Sequence, residues 1–348
     1  MTQTSMTYRT LGRSGAVVSA QALGTMTFGA EADEPTSHAL LDAYVAAGGN
    51  FIDTADVYSA GASEEIIGRW LASHPTEARQ VVLATKGRFP MGQGPNDLGT
   101  SRRHLRHALD ASLRRLGVDH IDLYQLHAWD ALSPLDETLR FLDDAVTAGK
   151  IGYHGFSNFT GWQLTKAVHV ADRHGWSLPV TLQPQYNLLV RGIEHEIVPA
   201  AIDAGIGLLP WSPLGGGWLS GKYRRDEPPT GSTRLGENPK RGMEAWEKRN
   251  GDERTWRVID AVAAVADEHG ATPSQVSLAW LAAQPGVTSV ILGARNLDQL
   301  QDNMAADSLA LSTEQLDRLT SASEPEMEDY PYGAAGIQQR HRKLSGGR

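Results

Sequence analysis

Cysteine is absent from all 348 residues, which excludes disulfides, thiolate metal sites and cysteine nucleophiles. No apolar run approaches the roughly 20 residues that span a bilayer. The opening stretch MTQTSMTYRT has no basic segment followed by an apolar core, so no secretion signal is expected and the cytoplasm is the expected location. A positive surplus is missing as well. With 41 acidic and 32 basic side chains the net charge is −9, which argues against nucleic acid or a membrane surface as the main partner. No G-x-G-x-x-G follows the first strand candidate, where LGTMTFG stands, so a Rossmann dinucleotide site is not expected.

The chain does contain a repeating unit. Helical stretches that close on glycine are followed by short apolar stretches in LLDAYVAAGGNFID, ALDASLRRLGVDHIDLYQLH, FLDDAVTAGKIGYHGFSN, HVADRHGWSLPVTLQ and AAIDAGIGLLPWSP. Glycine just past a helix adopts the left-handed conformation at little cost and ends the last turn. Leu105, Leu109, Leu113 and Leu116 form one helical face. Strand C-terminal ends are expected near Gly24, Asp53, Thr85, Leu126, Phe156, Gln183, Pro210 and Leu292. Their spacing is about 30–40 residues, one βα unit, except for a long last gap holding a polar loop (224–252) and more than one helix. The expected fold class is therefore α/β: a (β/α)8 TIM barrel with an N-terminal β-hairpin and extra helices near the C-terminus. A doubly wound open sheet is the alternative. The hairpin lies in TYRTLGRSGAVVSAQALG, turning at Gly12-Arg13-Ser14-Gly15 and capping the barrel floor. One domain is expected over 1–348, with its core at about 7–320. The loop 224–252 and the tail 323–348 are peripheral, either covers of a site or plain surface.

Polar side chains gather where strands end: Asp53, Lys86, His127, Ser157, Asn158 and Gln183. Barrel enzymes build their sites on that face. Singly, each has a simpler explanation. Asp53 fits a helix cap, Tyr58 a packing residue, Lys86 a surface charge, and His127 beside Trp129 a rim histidine. A ring of polar groups at successive strand ends is harder to attribute to capping.

FIDTADVY, ATKG, LGVDHIDLYQLH, GFSNF, QPQYNLL, WSPLGGGWLSGKY and VILGARNLDQLQDN, in that order, resemble the aldo-keto reductase superfamily, in particular its bacterial and potassium-channel β-subunit-like branches. The resemblance runs from about residue 7 to residue 320 and implies a catalytic tetrad of Asp53, Tyr58, Lys86 and His127. Physical chemistry assigns each a task. A free phenol titrates near ~10, and a neighbouring ammonium is expected to lower that value so that Tyr58 gives up its proton. Lys86 supplies the ammonium, Asp53 keeps it charged, and His127 orients the carbonyl. The hydride has to come from a cofactor.

The same resemblance implies a nicotinamide dinucleotide extended across the barrel mouth. Ser157, Asn158 and Gln183 would hold the carboxamide, and Trp211 would stack on the ring where many relatives carry Tyr or Phe. The glycine-rich SPLGGGWLSGKY, through Ser212, Pro213, Leu214, Gly217, Leu219, Gly221 and Lys222, would wrap the pyrophosphate. Gly24, Thr25, Met26 and Asp53 complete that side. After the eighth strand come Gly293, Arg295 for a 2′-phosphate, and Gln299 and Asn303 toward the adenosine. Relatives often carry a lysine-serine pair where Gly293 and Ala294 stand, so the choice of NADP(H) over NAD(H) rests on Arg295. Phe28, Tyr58, Phe89, His127 and Trp129, with Met26 and Trp218 at the mouth and EDYPYG near the rim, would form a pocket for an apolar or aromatic carbonyl compound or alcohol. The expected activity is reversible reduction of aldehydes or ketones. One alternative is a cofactor-binding regulatory or redox-sensing subunit with low turnover. Another is a metal-dependent sugar isomerase, for which the strand ends offer too few ligands, so no metal is expected. Oligomeric state stays open.

Overall fold

Short strands with one apolar face toward the barrel axis and the other toward a helical ring position everything that follows. The computed structural model describes residues 6–225, 227–231, 234–237, 244–327 and 329–340. β1 (Tyr8–Thr10) and β2 (Val17–Ser19) pair antiparallel as the expected hairpin. β3 (Gln21–Gly24), β4 (Phe51–Asp53), β5 (Val82–Gly87), β6 (Ile121–Leu126), β7 (Ile151–Ser157), β8 (Thr181–Gln183), β9 (Gly207–Leu208) and β10 (Val290–Gly293) form one parallel sheet in the order β10-β3-β4-β5-β6-β7-β8-β9. Leu208 bridges to Val287, and the Ile291 amide donates to the Pro210 carbonyl at 3.0 Å, so the two ends of the sheet meet. The barrel expectation holds, and each strand ends within two residues of its expected place.

Between the strands run α1 (Glu34–Ala46), α2 (Ala62–Ser73), α3 (Arg102–Leu116), α4 (Leu135–Thr147), α5 (Gly161–His174) and α6 (Ile197–Asp203). The long β9–β10 connection contributes α7 (Arg234–Glu237), α8 (Trp246–Asn250), α9 (Glu253–His269) and α10 (Pro273–Ala282). α11 (Leu297–Met304), α12 (Thr313–Ala322) and α13 (Ala334–Arg340) follow β10. Helix ends are encoded locally. Ser101 accepts from the His104 amide to start α3, and Gly117 at φ 65° ends it. No helix among the described residues is long and apolar enough to cross a membrane.

The core divides as the pleat requires. Leu23, Ile52, Leu83, Tyr124, Phe156, Leu182, Leu208 and Leu292 face the helices, while Ala22, Phe51, Ala84, Leu123, Leu209 and Ile291 pack inside the barrel. Leu11 and Val18 of the hairpin region join the inner cluster, so the hairpin plugs the floor. Two residues beyond Phe51, Ala84 and Leu123 stand Asp53, Lys86 and Gln125. The same inward alternation thus puts a polar layer directly above the apolar plug.

Part of the expectation for 224–252 and 323–348 falls on residues 226, 232–233, 238–243, 328 and 341–348, which lie outside the described residues. Where the loop is described it is anchored: Leu235 and Trp246 are buried. Trp246 stacks on Trp218 with centroids 5.1 Å apart, beside Tyr223 and Trp256. Tyr332 of the tail stacks on His195 and donates to Glu196.

Candidate active site

Asp53 is the last residue of β4, and Lys86 the next-to-last of β5. Lys86 Nζ donates to Asp53 Oδ2 at 2.6 Å and to the Thr54 carbonyl at 2.8 Å. The other carboxylate oxygen, Oδ1, accepts from Gln183 Nε2 at 2.9 Å and Gln125 Nε2 at 3.2 Å. Burial alone would strip Lys86 of its proton, but attraction to Asp53 and then Tyr58 outweighs it and holds the ammonium above its ordinary pKa. Attraction to Asp53 is thus the largest influence favouring the charged form of Lys86.

Tyr58 opens a tight turn, Tyr58–Gly61, in which Ser59 and Ala60 take positive φ. Its ring lies 5.1 Å, centroid to Nζ, from Lys86. It meets the His127 ring edge-on, with centroids 5.8 Å apart. The expected lowering of its pKa is not what results. Burial dominates and raises it, the Lys86 ammonium pulls it back in part, and Asp53 adds to the rise. A phenol removed from water loses more than one ammonium, itself half-neutralised by a carboxylate, restores.

His127 follows β6, and burial, then the charges of Lys86 and Arg88, push its pKa down to about 2. Its imidazole is therefore neutral, and Nδ1 is buried without a partner among the described residues. Phe89 lies against it with ring centroids 4.6 Å apart. Trp129 turns away and packs on Phe159 and Trp162 at 5.2 and 5.4 Å. Met26 is 43% exposed and can line the mouth, whereas Phe28 and Trp218 are fully buried. The pocket expectation is corrected at those two positions, because each ring is worth more in the core than at a wet rim.

The residues expected to hold the dinucleotide fall into two groups. Asn158, at φ 58°, donates to the His127 carbonyl at 2.9 Å and to Ser157 Oγ at 3.0 Å, and accepts from Trp211 Nε1 at 3.1 Å. Ser157 Oγ donates to the Gln183 carbonyl at 2.8 Å. These bonds tie the ends of β6, β7, β8 and β9 into one rim. Gln183 spends its amide N–H on Asp53. Ser212, Gly215, Gly216, Gly217 and Gly221 all take positive φ, a backbone suited to turning amides toward an anion. Leu214 is half-buried beside them, and Lys222 stands exposed at the loop's end. A Cβ on the exposed Gly293 would meet nothing within 4 Å, which leaves open room at the end of β10. The residues present thus fit a dinucleotide.

The second group supports the fold. A Cβ on Gly24 would lie 2.6 Å from Ile291, so glycine is needed there for β3 to approach β10. Thr25 is buried and donates to the Asp53 carbonyl, and Pro213 and Leu219 are buried. Asn303 braces the Gly293 carbonyl at 3.2 Å, and Gln299 accepts from the Arg295 amide at 3.0 Å. The Arg295 guanidinium lies 3.3 Å from both Glu31 and Glu237.

Gln125 and the Thr54 carbonyl were missed from sequence. Gln125 lies two residues before His127 on the inward face of β6, and that alternation was the available signal. Asp56 was also missed. Both its carboxylate oxygens are buried, with only the neighbouring Val57 amide close enough to ease the charge among the described residues. Burial, then repulsion from Glu64, lifts its pKa to about 7 against the pull of Arg115 and Lys86.

Comparison with known proteins bears on this arrangement. The sequence model described as "Aldo/keto reductase family" matches residues 22–324. "Uncharacterized oxidoreductase YrpG" of Bacillus subtilis is 38% identical over 317 residues, covering 89% of this chain and 93% of that protein. "Probable voltage-gated potassium channel subunit beta" of Oryza sativa is 39% identical, covering 86% and 91%. "Versiconal hemiacetal acetate reductase" of Aspergillus parasiticus is 33% identical, covering 90% and 96%. Likeness of this extent, over a barrel of this topology, makes the chain a member of the Aldo/keto reductase family, an oxidoreductase by kinship.

Proposed function

We propose that the protein is a cytoplasmic reductase that converts small aldehydes or ketones to alcohols with NADP(H), reversibly, and uses Tyr58 as proton donor. The observation that carries this is the buried ammonium of Lys86, held by Asp53 on one side and facing the Tyr58 ring on the other, beside a neutral His127. A nicotinamide, when bound, would supply the hydride for the carbonyl carbon. The chain supplies the rest. Neutral His127 donates a hydrogen bond to the carbonyl oxygen and orients it, without competing for the proton. The Tyr58 proton passes to that oxygen as the C–O π electrons move onto it. Lys86 stabilises the phenolate left behind. In the oxidative direction the alcohol proton returns to that phenolate. The raised resting pKa of Tyr58 keeps the phenol protonated and loaded until substrate arrives.

Lys222 and Arg295 would supply the positive charge for the phosphates. Glu31 and Glu237 place negative charge beside the same spot, so the preference for NADP(H) over NAD(H) is modest. Tyr58→Phe is the test. Carbonyl-dependent oxidation of NADPH is expected to fall by about a thousandfold or more while NADPH fluorescence titration stays close to wild type. Turnover retained in the variant would remove Tyr58 from the reaction.

The relative of Oryza sativa named as a potassium channel subunit supports a second reading, a cofactor-binding regulatory subunit. Under that reading NADPH binds but an aldehyde panel gives negligible turnover, and a membrane protein copurifies.

A further inference from the structure

Arg88, two residues beyond Lys86, differs from every other substantially buried arginine described. Arg115, Arg191, Arg249 and Arg295 each hold a carboxylate, and Arg9 and Arg254 make short bonds to backbone carbonyls. Half-buried Arg88 makes a single long bond, from Nη2 to the Trp129 carbonyl at 3.3 Å. Among the described residues its buried Nε has no partner and no carboxylate lies in ion-pair reach. The nearby Asp130 is committed elsewhere: Oδ2 accepts from the Thr100 amide and Ser133 Oγ, and Oδ1 from the Leu132 amide.

The backbone is held for this placement. Arg88 takes φ 137°, a conformation a side-chain-bearing residue adopts only when its surroundings impose it, and the Gly99 amide pins its carbonyl at 2.8 Å. The guanidinium sits 5.2 Å from the Phe89 ring centroid, and that ring lies 4.6 Å from His127. One aromatic ring therefore separates an unfilled cationic fork from the group proposed to orient the carbonyl.

We propose that Arg88 is a substrate-specificity residue: its guanidinium binds a carboxylate carried by the carbonyl substrate, one aromatic ring or a short chain away from the reacting carbon. A planar fork with free donors in a low-dielectric rim recognises such an oxyanion through paired N–H···O bonds. Phe89 covers the apolar part between the two ends.

This inference rests on the reductase reading of the same mouth. The test compares kcat/KM for 4-carboxybenzaldehyde and for its methyl ester, which share the aldehyde and differ in charge. Wild type is expected to prefer the carboxylate by about tenfold or more, mainly through KM, and to lose preference as salt rises. Arg88→Met brings the ratio to about one, and Arg88→Lys leaves an intermediate value, since a point charge lacks the fork. A ratio near one in wild type, or one unchanged in Arg88→Met, overturns the subsite. If neither compound is turned over, the reductase reading fails on its own account. The subsite is then decided by calorimetric titration with 4-(hydroxymethyl)benzoate: binding about tenfold weaker in Arg88→Met supports it, and equal binding overturns it.

Discussion

Lys86 Nζ and Asp53 Oδ2 meet at 2.6 Å in an ion pair whose side chains expose no more than 2% of their surface. Such a pair is costly to desolvate and is retained only when further bonds complete it. Here they do: Thr54 gives a carbonyl to the ammonium, and Gln125 and Gln183 give amides to the carboxylate.

Asp53→Asn therefore leaves a buried ammonium with a neutral neighbour. The expected loss is about 3–5 kcal/mol of stability, together with most carbonyl reduction. Urea denaturation followed by fluorescence measures the first, and NADPH oxidation the second. An unchanged urea midpoint would mean that the Lys86 charge is not held by Asp53.

Asp56 makes stability depend on pH. An aspartate ordinarily titrates at 3.8, and this one at about 7 when folded. Between those values the native chain keeps a proton that the unfolded chain has released, so stability falls as pH rises through that window and levels off above it. The full span is about 4 kcal/mol. Asp56→Asn keeps the shape of the neutral acid and removes the titration. Its Tm relative to wild type is expected to climb from pH 5 to pH 8, measured by circular dichroism. Parallel curves for the two proteins would show that Asp56 ionises normally.

Arg295→Ala removes the cation proposed for the 2′-phosphate and releases Glu31 and Glu237 beside it. Fluorescence titration is expected to show NADPH weakened by about tenfold or more, and NADH by much less. Equal losses would indicate that Arg295 only ties α7 to the barrel.

Much of the architecture was readable because it is written in local periods. Glycines at 117 and 175 end helices with φ of 65° and 64°, and alternation along Phe51-Ile52-Asp53 sorts core from ring. Asp53, Lys86 and His127 were legible as polar residues at strand ends, and their grouping with Tyr58 as what the family resemblance implied. Contacts between strands were not readable. Gln183 was expected to hold a carboxamide, and that its amide also reaches Asp53, 130 residues away, could not be foreseen, because β8 and β4 point their last side chains into the same narrow barrel only once it closes. Phe28 and Trp218 carry no local mark of being core. Only the packing of distant segments around them makes it so, as Trp246 does for Trp218.

Residue order alone determined the alternation of strand and helix, the family likeness and the set of polar groups placed at strand ends, since each depends on neighbours within a turn or two. Closure of the barrel decided the rest: which amides complete the Asp53 carboxylate, why burial outweighs Lys86 at the Tyr58 phenol, and why Arg88 is left with an unfilled fork. Desolvation and charge pairing act through space, and their size depends on groups that the chain brings together only when it folds.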